Sequence, residues 1–428
     1  MKEFQWSRIK YGDRVVPQIG AKNVIIQNVN NGKVVKITKE AFDTIDAMIH
    51  AGWSVEEVLN QCETEKDKEY LLENLAYLAE NEVVRDINDF SEYQAIPIRI
   101  DWDITNRCNL KCKHCCVSAD FQNHDLEQEA LLEVAEKIVS LNPVGIVISG
   151  GEPLVRKDFR EIITTIKKKY QGKLFLMTNA VLIDGEMARF IAENFSSVSV
   201  SLDGVDEETC STIRGKGVYA KTIAGIRQLQ EAGMTQISAS MVITKTTYKY
   251  KYRFIDMCRE MHIEPFLRSL SLVGRAEVKM HDMIPSEQEE IECMPIPELE
   301  KNEMEKEPEK EGAKKIGKVP TFSCGAAFKQ FQIDYCGNIY PCQSLMEKEL
   351  LLGNVLEIEE LNDYIRNRSF VKTKGYKTLE QYFPYNFSEC RGCNKQIFCW
   401  NCIEPIYREK TKREDCSMAN CALDRFWE

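Results

Sequence analysis

The sequence predicts an α/β protein centred on a partial (β/α)6 barrel, with a small helical unit before it and a cysteine-rich segment after it. Three observations predict this. Between residues 96 and 285 short apolar runs alternate with amphipathic helical stretches, as in a parallel sheet with helices outside. Of the 17 cysteines, nine crowd between Cys324 and Cys421 and four between Cys108 and Cys116. A charged, proline-broken stretch, residues 286–318, separates the barrel from the last segment, residues 319–428.

The totals bound the rest. A chain of 428 residues is too long for one ordinary domain. Its hydrophobic content of 43% with 9% aromatics supports well-buried cores. The net charge of -11 argues against a nucleic-acid or anionic-membrane footprint. No apolar run is long enough to span a bilayer, and Met1-Lys-Glu-Phe does not begin a signal peptide. The expected location is the cytoplasm, where thiols stay reduced, so the cysteines point to metal rather than to disulfides. Cys62, Cys210, Cys258 and Cys293 are scattered and read as small hydrophobes.

Residues 1–95 form the first unit. Val24–Ile37 is two apolar runs around Asn30-Asn31-Gly32, a hairpin signal. Thr38 caps a helix with Ala41, Phe42, Ile45 and Met48 at helical spacing, which ends at Gly52. Ser54 starts a short helix, and a longer one runs from about Lys66 to Glu82 with Leu71, Leu75 and Leu78 on one face.

The barrel follows, residues 96–285. Its strands are Ile98–Ile104, Val144–Ser149, Leu174–Met177, Val198–Leu202, Ile237–Ile243 and Pro265–Leu270. Helices such as Glu129–Leu141, Phe159–Tyr170, Tyr219–Ala232 and Tyr248–Met261 lie between them. A closed eight-unit TIM barrel needs more chain, and six units leave an open side for a large substrate.

The chemistry begins at Cys108-Asn-Leu-Lys-Cys112-Lys-His-Cys115, in the loop after the first barrel strand. A four-iron cubane is normally held by four thiolates, so three leave one iron for a small molecule. The zinc alternative wants ligand pairs two residues apart and a fourth ligand. Here the first gap is three residues, and only the adjacent Cys116 lies near. Gly150-Gly151-Glu152-Pro153 follows the second strand, where glycines let a backbone approach a ligand closely. Thr178-Asn179 ends the third strand and Ser201-Leu202-Asp203 the fourth, at the carboxyl ends where α/β folds bind ligands. In the last segment Cys324, Cys336 and Cys342 precede Cys390-x2-Cys393-x5-Cys399-x2-Cys402 and Cys416. Taken alone, its two C-x2-C pairs also suit zinc ribbons.

This constellation resembles the radical S-adenosylmethionine (SAM) enzymes that carry a SPASM extension. The resemblance implies that Cys108, Cys112 and Cys115 hold a 4Fe–4S cluster whose open iron is chelated by SAM. His114 takes the position of an aromatic that packs by the adenine, with metal ligation the alternative. Gly150, Gly151, Glu152 and Pro153 form the motif for the methionine amine, and Asn179 joins the SAM site. Ser201 and Asp203 face the ribose and Arg214 pairs with the carboxylate, a surface cation being its alternative. Gly274-Arg275-Ala276 resembles an adenine-side turn, and Cys116 reads as a bystander.

The SPASM resemblance implies two auxiliary 4Fe–4S clusters, three in all. Cys390, Cys393, Cys399 and Cys416 hold the outer one, with Cys421 the alternative to Cys416. Cys324, Cys342 and Cys402 hold the inner one, with Cys336 or an open iron as the fourth site.

The first unit resembles the winged-helix-like recognition element of peptide-maturation enzymes, which adds a precursor's leader as an edge strand. Its rival, a DNA-binding winged helix, lacks a basic recognition helix here. Together the segments imply a maturase of ribosomally made peptides that uses a 5′-deoxyadenosyl radical and a flavodoxin- or ferredoxin-type reductant, most specifically to form thioethers. Carbon–carbon crosslinking or formylglycine formation would use the same core. An iron–sulfur electron carrier or zinc scaffold would have no use for the Gly150-Gly151-Glu152-Pro153 motif.

Overall fold

A computed structural model describes residues 6–12, 15–28, 33–88, 98–271, 273–278, 324–383 and 402–409. The chain divides into two compact units, one of residues 1–96, 299–324 and 378–428, the other of residues 97–298 and 325–377.

In the first unit, β1 (Ile9–Tyr11) pairs antiparallel with β5 (Val84–Asp86). Strands β2 (Val15–Ile19), β3 (Asn23–Asn28) and β4 (Lys33–Thr38) form an antiparallel sheet in that order. The hairpin expected over Val24–Ile37 is the β3–β4 pair, and its Asn30-Asn31-Gly32 turn lies outside the described residues. Strand β2 was not legible in the sequence. Pro17 interrupts it, and proline is tolerated there because β2 is an edge strand of this sheet. Helix α1 (Lys39–Ala51) starts where the Thr38 hydroxyl accepts the Ala41 N–H at 3.2 Å, and stops at Gly52, whose φ is 69°. Capping boxes at Ser54 and Thr64 open α2 (Val55–Leu59) and α3 (Glu65–Glu80). One face of β3 and β4 packs Val24, Ile26, Val35 and Ile37 with Phe42, Ile45, Met48 and Leu75 in a single core.

The second unit is built on six parallel strands in chain order: β6 (Arg99–Asp103), β7 (Gly145–Ser149), β8 (Lys173–Thr178), β9 (Ser197–Ser201), β10 (Ile237–Ile243) and β11 (Glu264–Ser269). Helices α4 (Gln128–Ser140), α5 (Phe159–Lys169), α6 (Gly185–Asn194), α7 (Glu207–Arg214), α8 (Val218–Glu231) and α9 (Lys251–Glu260) alternate with them. The sheet continues past β6. Strand β12 (Gln330–Ile333) pairs parallel with it, followed by antiparallel β13 (Asn338–Tyr340) and β14 (Gly353–Asn354). The ladder of β6 is thus satisfied on both sides, which no local pattern in the sequence announces.

Alternation along the strands separates two faces. Ile100, Trp102, Ile146, Ile148, Leu174, Leu176, Val198 and Val200 are all buried on one. The other face is mixed, with Val147 on β7, Phe175 and Met177 on β8 and Phe266 on β11 among its polar groups. Asp101, Asp103 and Ser149 stand on it at β6 and β7, then Ser197, Ser199 and Ser201 on β9 and Ser238 and Ser240 on β10. This inner face is buried at β6 and opens toward β11, where Phe266 is 51% exposed. Among the described residues no helix is long and apolar enough to cross a membrane.

Candidate active site

Strand β6 runs into Thr105, Asn106 and Arg107 and then into the loop of Cys108, Cys112 and Cys115. Asp125 fixes the entry: its carboxylate accepts the Thr105 hydroxyl at 2.5 Å and the Asn106 N–H at 2.8 Å. Gly150 and Gly151, just past β7, press against the same stretch. The N–H groups of Gly151 and Glu152 donate to the carbonyls of Thr105 and Arg107 at 2.8 and 2.9 Å. A Cβ on Gly150 or Gly151 would run into those two carbonyls, and Gly150 has a φ of 132°. The two glycines are therefore required by the packing of one backbone on another.

Each of the three thiols has a donor aimed at it. The Leu110 N–H reaches Cys108 Sγ at 3.3 Å, the Ala119 N–H reaches Cys115 Sγ at 3.4 Å, and Arg214 Nη1 lies 3.8 Å from Cys112 Sγ. Burial pushes the Cys108 thiol up to about 12 and raises that of Cys112 as well. Thiols so placed give up their protons to a metal that binds the thiolate. Donors aimed at sulfur in a buried loop fit a thiolate-held cluster. Among the described residues no three His, Cys, Asp or Glu side chains converge on a point for a single metal ion. The thiolates of a cubane attach to separate irons and need no such point. Cys116 is exposed.

The loop is braced from the far end of the parallel run. Arg275 donates from its backbone N–H to the Cys115 carbonyl at 3.0 Å. Its guanidinium donates to the carbonyls of Cys112 and Ala119 at 2.8 and 2.7 Å. A Cβ on Gly274, which has a φ of 61°, would strike the carbonyls of Cys115 and Cys116. The Gly274-Arg275-Ala276 turn thus braces the cysteine loop.

Glu152 is fully buried, and burial raises its pKa. Its carboxylate accepts the Leu154 N–H at 3.1 Å, the Thr178 hydroxyl at 2.8 Å and the Asn179 N–H at 2.7 Å. The side chain joins the ends of β7 and β8. Pro153 opens the short 3-10 turn that follows. Asn179 carries the link onward, donating from Nδ2 to Asn109 Oδ1 at 2.8 Å.

Asp203 is also fully buried. Its Oδ2 lies 2.5 Å from His114 Nε2 and 2.7 Å from Arg214 Nε, and its Oδ1 accepts the Val242 N–H at 2.7 Å. Burial alone would raise the carboxyl, but Arg214 and His114 outweigh it and hold Asp203 well below the usual carboxylate range. Arg214 is 9% exposed, so it is no surface cation. It spans Asp203 and Cys112. Ser201 is half-buried on the inner face beside Ser240. The structure thus brings Cys108, Cys112, Cys115, His114, Gly150, Gly151, Glu152, Asn179, Asp203 and Arg214 into one connected assembly at the carboxyl ends of β6–β9. Sequence reasoning missed Asp125, Asn109 and the bracing role of Arg275. Only Arg275 left a trace, in the Gly274-Arg275-Ala276 turn.

The Cys336–Cys342 segment is a hairpin. Asp334 accepts the N–H groups of Cys336 and Asn338 at 2.8 and 2.9 Å, and Gly337 turns the chain with a φ of 81°. Cys336 therefore precedes β13 and Cys342 follows it. Both are half-buried cysteines of the second unit, and Cys324 and Cys402 are half-buried cysteines of the first. Cys390, Cys393, Cys399, Cys416 and Cys421 lie outside the described residues, as does Cys293. Cys210 and Cys258 are buried as expected of small hydrophobes.

Comparison with known proteins assigns these segments. Residues 102–267 match the radical SAM superfamily, and residues 324–394 match SPASM, an iron–sulfur cluster-binding domain. Mycofactocin maturase MftC of Mycobacterium tuberculosis is 25% identical over 323 residues, 74% of this chain and 81% of its own. Fe-coproporphyrin III synthase of Methanosarcina barkeri is 35% identical over 38% of this chain and 41% of its own. Among solved structures, Streptococcus suis SuiB bound to its precursor peptide SuiA covers 94% of this chain and 97% of its own, with a TM-score of 0.54 and 16% identity. AnSMEcpe with bound AdoMet and a peptide covers 74% of this chain and 92% of its own, with a TM-score of 0.54 and 18% identity. The two domains bring SAM and 4Fe–4S clusters as cofactors.

Proposed function

From a chain that carries a radical SAM domain and a SPASM domain, we propose a maturase of a ribosomally made precursor peptide that forms thioether crosslinks. The observation that carries the reading is the braced loop of Cys108, Cys112 and Cys115 at the carboxyl ends of a parallel sheet, in a chain that also carries SPASM cysteines. The relation to a mycofactocin maturase and the likeness in fold to SuiB support a peptide as substrate.

When bound, SAM on a 4Fe–4S cluster supplies a radical that removes a hydrogen atom from an unactivated carbon. The chain's own residues do the rest. Cys108, Cys112 and Cys115 would hold the first cluster. His114 and Ser201 bound the space for the nucleoside, and Gly150–Pro153 with Asn179 set the adjoining backbone. Asp203 holds Arg214 in place and buries its charge beside Cys112. The inner face, a partial six-unit barrel, receives the peptide on its open side and excludes water on its closed side. By the SPASM resemblance Cys324, Cys342 and Cys402 would hold an inner auxiliary cluster, and Cys390, Cys393, Cys399 and Cys416 an outer one. Residues 1–95, read as a winged-helix-like recognition element, take the leader. A flavodoxin- or ferredoxin-type donor in the cytoplasm would be the source of the electron.

The test is iron and acid-labile sulfide per chain after anaerobic purification, followed by co-expression with a cysteine-rich peptide encoded beside the gene. About twelve irons per chain are expected, falling to about eight in a Cys108/Cys112/Cys115→Ala variant. The peptide should lose hydrogen on maturation and resist thiol alkylation. Zinc in place of iron, or no loss in the variant, defeats the reading.

A further inference from the structure

One arginine on the inner face has nothing to hold. Arg268 stands on β11 two residues after Phe266, and so on the same face of the strand. It is half-buried, and its Nε is shut off from water without a hydrogen-bond partner. No carboxylate pairs with its guanidinium among the described residues. The other arginines near the parallel strands are engaged. Arg99 meets Asp101 at 2.7 Å, Arg156 meets Asp158 at 2.6 Å and Arg214 meets Asp203 at 2.7 Å. Arg275 donates to the carbonyls of Cys112 and Ala119. A buried donor without an acceptor is costly, the more so on a charged group, and Arg268 therefore calls for an anion from outside the chain.

The surroundings fit a peptide better than a small cofactor. Strand β11 ends the parallel run, pairing with β10 and, among the described residues, with nothing on its other edge. Such an edge offers main-chain donors and acceptors to an extended peptide. Phe266, 51% exposed, sets apolar surface beside the guanidinium. Arg268 is in register with Val242, whose N–H the Asp203 carboxylate accepts at 2.7 Å. The anion would thus lie one strand beyond the contact that ties β10 to the buried assembly of Asp203, His114 and Arg214.

We propose that Arg268 anchors the precursor peptide by pairing with one of its carboxylates, the peptide lying extended along β11 with an apolar side chain against Phe266. The proposal rests on the maturase reading and adds a substrate feature to it, an acid two residues from an apolar residue. In an extended chain those two side chains share a face, as Arg268 and Phe266 do. The guanidinium fork takes a carboxylate through two parallel hydrogen bonds, which a lysine cannot reproduce.

The test uses the cluster-loaded full-length protein and the cysteine-rich peptide encoded beside its gene. It reads kcat/KM for the peptide by mass and KM for SAM by 5′-deoxyadenosine release. Arg268→Gln should lower kcat/KM for the peptide about 10–100-fold and leave KM for SAM unchanged, with Arg268→Lys between the two. Peptides with each Asp or Glu changed in turn to Asn or Gln, and one with an amidated C-terminus, locate the carboxylate on the wild-type protein, so the result does not depend on the variant folding. One of them should reproduce the loss, and should lose nothing further with Arg268→Gln. If every such peptide is modified as well as its parent, the proposal is overturned. A raised KM for SAM in Arg268→Gln with the peptide unaffected also overturns it, because the anion is then the carboxylate of SAM. Undiminished peptide modification by Arg268→Gln removes the anchor and leaves the maturase reading standing. A wild type that cleaves SAM and never modifies the peptide defeats the maturase reading, and the anchor with it.

Discussion

Asp203 shows how much of a residue's setting is supplied by partners distant in the chain. It stands just past the end of β9, accepts from Val242 and faces both His114 and Arg214. Asp203 is ion-paired at short range with Arg214 and His114 in a buried setting, and removing the acid leaves uncompensated charge. Asp203→Ala should therefore cost about 3–5 kcal/mol, read as a fall in melting temperature at neutral pH. The pH dependence has a definite sign. Because Asp203 is held below its unfolded value, its contribution is complete above about pH 4 and is lost as the pH falls from there through the lower folded value. A wild-type protein whose advantage over Asp203→Ala stayed constant from pH 5 to pH 2 would contradict this account. Glu152 is similar in kind, a buried carboxylate whose three acceptor contacts are all to the protein.

At the scale of elements, the turns matter as much as the strands. Gly274 lies in the left-handed region and against two carbonyls of the cysteine loop, so any Cβ there must displace the loop itself. Gly274→Ala is expected to cost about 2 kcal/mol or more and to lower the iron content of the first cluster, with the sheet otherwise intact by circular dichroism. Full iron loading would show that the loop tolerates the shift. The same elements show what a sequence can reveal. The six parallel strands were legible because Val144–Ser149, Val198–Leu202 and their like are short apolar or alternating runs bounded by turns. The cysteine loop was legible because ligand spacing is local. Strand β2 was obscured by Pro17, and the pairing of β12 with β6 was invisible because it joins residues more than two hundred positions apart. The partners of Asp203, Glu152 and Arg275 escaped for the same reason: burial and distance are properties of the fold.

At the scale of the molecule, two compact units carry one charge balance of -11, with the clustered cysteines distributed between them. In the second unit the parallel run begins at β6 and ends at β11, and the residues just past each end meet. Arg275, after β11, holds the carbonyls of Cys112 and Ala119, after β6. A strap thus crosses the carboxyl rim, and on the proposed function it includes the segment that would hold the first cluster. Loss of the iron is then expected to loosen the rim. Residues 105–119 and 273–278 should become the first sites of trypsin or chymotrypsin cutting when the cluster is stripped by oxygen or chelator, and should be protected when it is intact. Equal cutting patterns in the two states would break the link. A molecule damaged by oxygen would carry its own label for disposal, displayed at the position where the damage occurred.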